Sequence, residues 1–215
     1  MQALITCVDY SDFLSVTLPT VAPHFERVTV LTTWEDSETQ ELVERAPFAE
    51  TYCCRMGAFK KGDDAYDGTF NKGAALDIQL TYMKGWICVL DADIVLPEKM
   101  DLSGIEPGYL YSPHRRMLEK PGPIPPESEW GSLPAGPEHE NGELAGYFHL
   151  FHTDDPRFGS PPWYESKKWR TAQGCDTVFS WPWHPNRVRR LPFEVLHLGE
   201  TRVNWNGRVS QKWTG

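Results

Sequence analysis

The segment Trp86-Ile87-Cys88-Val89-Leu90-Asp91-Ala92-Asp93-Ile94-Val95 constrains the fold of this chain more than any other. It is short, almost wholly apolar, and interrupted by two carboxylates one residue apart. An apolar run of this length behind a helical pattern reads as a strand buried on both faces of an α/β sheet. In open α/β sheets ligands bind outside the carboxyl ends of the strands, where Asp91 and Asp93 would fall. Two hard oxygen ligands at that edge suit a divalent cation that in turn holds phosphates. The same pair also fits a strand-to-turn boundary with helix-capping acids, so its neighbours in the fold must decide.

The rest of the N-terminal half repeats the alternation. Ala3–Val8 reads as a first strand and Phe13–Val21 as a helix, with Ser11 or Asp12 as its N-cap. Arg27–Thr32 is a β-branched second strand, Ser37–Arg45 a short charged helix, and Glu50–Cys54 a weak third strand. Lys60–Thr69, with two Gly and three Asp, is a loop. Phe70–Met83 is the strongest helix, with Leu76, Leu80 and Met83 on one face. Strand and helix in turn predict a mostly parallel sheet covered on both faces, an α/β fold. At 215 residues the chain is expected to be a single domain.

Beyond residue 100 the pattern loosens. Residues 119–142 are rich in Pro and Gly, and read as a long structured loop or a mobile flap. Leu144–Phe151 is apolar enough for a strand. Thr171–Trp181 reads as a helix begun by Gly174 or Asp176, and Phe193–Gly199 as a last short strand carrying His197. Nine Trp, most at or beyond position 130, either pack a core or build stacking platforms for sugars and bases. Trp163, Tyr164, Trp169, Trp181 and Trp183 are the candidates for such a wall.

Charge and cysteine content limit the function classes. A net charge of −9 argues against a surface that coats polyanions, although local basic clusters stand at His114-Arg115-Arg116, Lys167-Lys168-Trp169-Arg170 and Arg187–Arg190. Five Cys, an odd number without a Cys-x-x-Cys, read as buried free thiols rather than zinc ligands or disulfides. No segment approaches the ~18 apolar residues of a membrane span, and the N-terminus lacks a basic start. A cytoplasmic protein without membrane association is the expectation.

Taken in order, Ile5-Thr6-Cys7-Val8-Asp9-Tyr10, Asn71-Lys72-Gly73-Ala74-Ala75-Leu76, Val89-Leu90-Asp91-Ala92-Asp93 and Val195-Leu196-His197-Leu198-Gly199 resemble the motifs of GT-A glycosyltransferases. The resemblance covers residues 3–100 closely and 144–199 loosely. It implies a GT-A-like sheet whose residues 1–100 bind the nucleotide-sugar and whose residues 101–215 bind the acceptor. It implies a nucleoside-diphosphate sugar donor, with UDP the expected nucleotide, and a hydroxyl acceptor. The compact format also resembles bacteriophage-type enzymes acting on hydroxymethylated pyrimidines in DNA; a saccharide or small molecule stands as the other acceptor.

Residue by residue, the resemblance assigns Asp93 and His197 as direct ligands of Mn2+ or Mg2+. Asp91 would join through water or hold the ribose. Thr6, Asp9, Tyr10, Lys72, Asp91 and Ala92 would line the nucleotide-sugar site. Asp9 would accept from base or ribose and Tyr10 would stack on the base. Lys72, a cation in the first turn of a helix where the dipole disfavours it, would be relieved by a phosphate. Asp176, in Gly174-Cys175-Asp176-Thr177, would be the general base that an inverting displacement needs. Each has a plainer reading: turn and capping acids for Asp9 and Asp176, a packed ring for His197, a solvated lysine for Lys72. The stereochemical outcome stays open.

The alternative is a haloacid dehalogenase-like phosphatase with Asp91 as nucleophile, Asp93 as acid/base, and Ser112, Lys120 and Asp154-Asp155 completing its set. Against it, some ninety patterned residues precede a nucleophile that normally sits on the first strand. A dinucleotide oxidoreductase is excluded because no Gly-x-Gly-x-x-Gly follows a strand. A pyrophosphorylase lacks its Gly-rich first loop, and a carbohydrate-binding module would leave Asp91, Asp93 and His197 without a role.

Overall fold

A computed structural model describes residues 1–54, 71–137, 144–164, 172, 174–201, 203–204 and 208–214. The elements are β1 (Gln2–Thr6), α1 (Ser11–Val21), β2 (Arg27–Thr33), α2 (Ser37–Glu44), β3 (Ala49–Cys54), α3 (Lys72–Leu80), β4 (Trp86–Asp91), β5 (Ile94–Val95), β6 (Leu110–Leu118), β7 (Phe148–His152), α4 (Cys175–Ser180) and β8 (Val188–Leu198). The eight strands form one sheet in the order β3-β2-β1-β4-β7-β6-β8-β5. Strands β3, β2, β1 and β4 run parallel, β7 runs antiparallel to β4, and β6 and β8 are again parallel. The fold is α/β, as the alternation requires.

Side-chain alternation explains the layers. Ala3, Ile5, Cys88 and Leu90 face one side, where Leu14 and Leu18 of α1 and Val43 of α2 close the core. Leu4, Ile87 and Val89 face the other, against Leu76 and Leu80 of α3 and Phe179 of α4. Burying both faces is why the strand sequences read as unbroken apolar runs.

Several boundaries differ from the sequence expectation for local reasons. Helix α1 begins at Ser11 and is preceded by Tyr10, whose side chain makes no capping bond, so Ser11 and Asp12 lie inside the first turn rather than capping it. Asp12 is instead bound by Arg208 and the Trp213 amide. Helix α3 starts at Lys72 with Asn71 as cap, accepting from the Ala74 amide at 2.9 Å. Phe70 and the Lys60–Thr69 loop lie outside the described residues. The Trp86–Val95 run divides into two strands because Ala92 and Asp93 form a tight turn between them. Strand β6 was not foreseen, since Ser112-Pro113-His114-Arg115-Arg116 reads as polar loop.

Residues 119–137 are a packed loop. Trp130 is buried with Phe13, Leu196, Leu198 and Trp213, and Ile124 and Leu133 pack against that cluster. The aromatic wall resolves mainly into core: Tyr164 and Trp183 are fully buried, and Trp163 stacks on Phe158 with centroids 4.3 Å apart. Trp181 is exposed, while Trp169 and the basic cluster around it lie outside the described residues. Cys7, Cys53, Cys88 and Cys175 are free thiols, as expected. No helix among the described residues is long and apolar enough to cross a membrane.

Asp36 ties the first two strand–helix units together. Its buried carboxylate caps α2 through the Thr39 amide and accepts from Thr32 Oγ1 and from the Asp9 amide of the β1–α1 turn. Removing it leaves three donors unsatisfied. The Asp36→Ala substitution is expected to cost about 2 kcal/mol, lowering Tm by roughly 4–8 °C for a chain of this size. Thermal unfolding followed by circular dichroism checks this.

Candidate active site

The carboxyl end of β4 delivers the two acids, and three bonds fix the turn that carries them. Thr17 Oγ1 of α1 donates to the Ala92 carbonyl at 2.7 Å, the Asp91 amide donates to the Tyr147 carbonyl at 3.2 Å, and the Leu198 amide donates to the Asp93 carbonyl at 2.9 Å. Directly after the turn, β5 pairs antiparallel with the end of β8 in the register Ile94↔His197. That pairing sets the His197 ring beside Asp93, with Nε2 3.8 Å from Oδ1. Residues 104 positions apart in sequence thus meet through one two-residue strand.

A second charge cluster lies next to the first. Lys72, at the first position of α3, points its ammonium to Asp91 Oδ1 at 2.6 Å and to Asp176 Oδ1 at 3.4 Å. Its side chain is only 6% exposed. Burial would push the ammonium pKa down, but the carboxylates of Asp176 and Asp91 outweigh it and the net shift is upward, so Lys72 is held protonated. The mismatch between a cation and a helix start is therefore already relieved by two carboxylates. Helix α4 supplies Asp176 in its first turn, behind Gly174 in the left-handed conformation. Gly73 lets α3 approach this region, because a Cβ there would lie 3.0 Å from the Tyr164 carbonyl oxygen.

Both clusters open onto one cavity of about 490 Å3, within the size range of small-ligand sites. Thr6, Tyr10, Lys72, Asp91, Ala92, Asp93, Asp176 and His197 all line it. Asp9 does not; it is exposed, with φ 59°, and uses its main chain to bind Asp36 and Arg208. The Tyr10 ring is stacked on Phe13 at 5.2 Å, with the Arg208 guanidinium 4.8 Å from its centroid. Much of the surface on which a base would stack is thereby engaged in packing.

The wall also contains Arg115, from the basic cluster at 114–116, Asn204 and Arg208 from the polar tail, and three residues the sequence did not single out, Gly146, Tyr147 and Glu200. Arg208 is paired with Asp12, which brings the C-terminal segment across the β1–α1 turn. A lone arginine in a polar tail carries no local signal of such a contact. Gly146 is equally silent in sequence. A Cβ at 146 would fall 1.9 Å from Asp176 Cγ, so the carboxyl group rests directly on the Gly146 main chain. The φ of Gly146 is not positive, so space rather than backbone conformation requires glycine there.

Several buried polar atoms on the cavity wall are unsatisfied. Thr6 Oγ1, Asp93 Oδ1 and His197 Nδ1 are buried with no hydrogen-bond partner among the described residues. Unpaired buried polar atoms are costly and rare in folded proteins. Burial also raises the Asp93 and Asp176 pKa values; His197 and Lys72, respectively, oppose the shift, and Asp91 adds to it in both. Asp93 and His197 are a carboxylate and an imidazole 3.8 Å apart on the wall of one cavity, donor types that suit a divalent cation. Asp91 is committed to Lys72 instead. Among the described residues no three acid, His or Cys side chains gather as a metal cage.

The phosphatase set is not assembled. Lys120 and Asp154 are exposed, Asp155 is held by Trp183 Nε1 and Arg157, and neither these nor Ser112 line the cavity.

No protein-family model and no curated protein sequence matches the chain. Among solved structures it is similar to the galactosyltransferase LgtC, determined in complex with donor and acceptor sugar analogues. The TM-score is 0.52 at 11% identity, over 99% of this chain and 92% of that one. The shared feature is the fold itself, and on that ground the chain has a GT-A-like glycosyltransferase fold.

Proposed function

We propose that the protein is a metal-dependent glycosyltransferase that moves a sugar from a nucleoside diphosphate, UDP first among the candidates, to a hydroxyl acceptor. The acceptor is a hydroxymethylated pyrimidine in DNA or else a saccharide or small molecule. The observation that carries this reading is the meeting of the Lys72–Asp91–Asp176 and Asp93–His197 clusters in one cavity, at the carboxyl ends of the parallel strands of a GT-A-like fold.

Asp93 and His197 would hold Mn2+ or Mg2+, which when bound supplies Lewis-acid stabilisation of charge on the leaving diphosphate. The chain's own residues do the rest. Thr6 Oγ1, buried and unpartnered on the cavity wall, offers a hydrogen bond to the nucleotide. The Asp91 carboxylate, fixed by Lys72, orients the sugar or ribose hydroxyls. Asp176 takes the proton of the acceptor hydroxyl as it attacks the anomeric carbon, a direct displacement with inversion. A carboxylate whose pKa is raised by burial is better matched to that task than an ordinary aspartate. Lys72 keeps it ionised between turnovers.

Three outcomes test the reading. UDP at about 100 times its Kd should stabilise the protein by roughly 2.7 kcal/mol, or about 5–10 °C in Tm, only when Mn2+ is present. Asp93→Ala and His197→Ala should abolish that shift; full stabilisation by UDP without metal in both variants would overturn the metal site. Asp176→Asn and Gly146→Ala should retain the UDP–Mn2+ shift, yet lower the rate of UDP release from a UDP-hexose by about 100-fold or more. Full activity of both would remove Asp176 from the reaction. Finally, loss of the ammonium in Lys72→Met withdraws the charge that favours ionised Asp176. The acid limb of kcat/KM should therefore move to higher pH, and a pH–rate profile reads it directly.

A further inference from the structure

The cavity can be ordered along the sheet. Its wall runs from Thr6, Val8 and Tyr10 behind β1, past Asp91 and Asp93 at the end of β4, to Gly146 and Asp176 beside β7. With the diphosphate held at Asp93 and His197 and the transfer at Asp176, the nucleoside falls at the β1 end. Arg208, seated on the β1–α1 turn, closes the wall there. The Tyr10 ring at this end is already packed against Phe13 and Arg208.

A guanidinium carries five N–H donors, all in its plane. Every one in Arg208 is committed. Nε donates to the Ser210 carbonyl at 3.4 Å, Nη1 to the Asp9 carbonyl at 2.6 Å and to Asp12 Oδ1, and Nη2 to Asp12 Oδ2 at 2.7 Å and the Gln211 carbonyl at 2.8 Å. Asp12 is held in turn by the Trp213 amide, and the Trp213 ring packs on Phe13 with centroids 5.5 Å apart. Asn204 fixes the same stretch, its Oδ1 accepting from the Val209 and Ser210 amides at 2.8 and 3.0 Å. The guanidinium carbon lies 4.8 Å from the Tyr10 centroid and 5.1 Å from that of Phe13. Arg208 nevertheless lines the cavity. With its edge taken up by oxygens, what it can offer a ligand is flat, weakly hydrated and free of directional bonds. Nucleobases stack on guanidinium planes as they do on aromatic rings. The plane is fixed before any ligand arrives, so stacking on it carries little further ordering cost.

We infer that Arg208, in place of the Tyr10 ring, is the platform on which the donor's nucleobase stacks, and that Asp12 is the positioning residue that holds the plane. Arg208 acts here as a surface rather than as a charge, because Asp12 neutralises it and its N–H groups are spent on the chain itself. Naming the ligand a nucleobase rests on the glycosyltransferase reading; the committed edge of the guanidinium does not.

Isothermal titration on the full chain with Mn2+ compares UDP with pyrophosphate, which shares the diphosphate and lacks the base. Arg208→Ala and Asp12→Ala should each weaken UDP binding by about tenfold or more and leave pyrophosphate binding undiminished. Arg208→Lys keeps the charge and loses the plane, so it should weaken UDP as Arg208→Ala does, and it carries the comparison alone should the alanine variants fail to fold. Parallel loss of both ligands would make Arg208 a diphosphate-binding cation. UDP affinity retained in Arg208→Ala or Arg208→Lys would leave the base without this platform. Either result overturns the proposal. Wild-type protein that binds pyrophosphate with Mn2+, but UDP no more tightly, also overturns it while the cation site stands; binding of neither ligand removes the donor reading itself.

Discussion

A buried lysine ammonium organises this molecule's chemistry. Taking an isolated cation of that size out of water costs several kcal/mol even after relaxation, so Lys72 can occupy its place only with carboxylates around it. Asp91 comes from the end of β4 and Asp176 from the start of α4, and the cation holds both within 3.4 Å. The central strand and the two helices packed beneath it are thereby fixed relative to one another at the cavity floor. The same requirement divides labour between the two acids of the β4–β5 turn. Asp91 neutralises the lysine, and Asp93 lies 3.8 Å from His197 with a buried oxygen that has no hydrogen-bond partner among the described residues.

The site draws on five separated parts of the chain, brought together by three kinds of interaction. Asp93 and His197 meet by strand register, Lys72 and Asp176 by an ion pair where Gly73 of α3 packs closely on Tyr164 and Cys175, and Arg208 by a carboxylate pair with Asp12. The first of these is fixed by main-chain pairing and the others by ion pairs between side chains.

How much of this could be read beforehand follows from where the signal lies. Strands β1, β2 and β4 are buried on both faces, and unbroken apolar runs announce that. The Asp91/Asp93 edge and His197 stood out because their residue types and order matched a known pattern, and the structure brings Asp93 and His197 within 3.8 Å. Strand β6 was missed because its middle, Ser112-Pro113-His114-Arg115-Arg116, carries no hydrophobic alternation and its two arginines are only half-buried. The tryptophans misled for the opposite reason: Trp183 and its neighbour Tyr164 are aromatic enough to suggest a stacking platform, but composition cannot distinguish a platform from a core. Lys72 showed as an anomaly of helix electrostatics, while the partner that resolves it, Asp176, lies far along the chain. Gly146 gave no signal, since its importance is an absence of atoms.

The Asp12–Arg208 contact spans 196 positions, joining the first helix to the last segment of the chain. One consequence concerns biosynthesis. On the ribosome Asp12 is made 196 positions ahead of Arg208, so the wall beside Tyr10 stays open on that side until Arg208 has emerged.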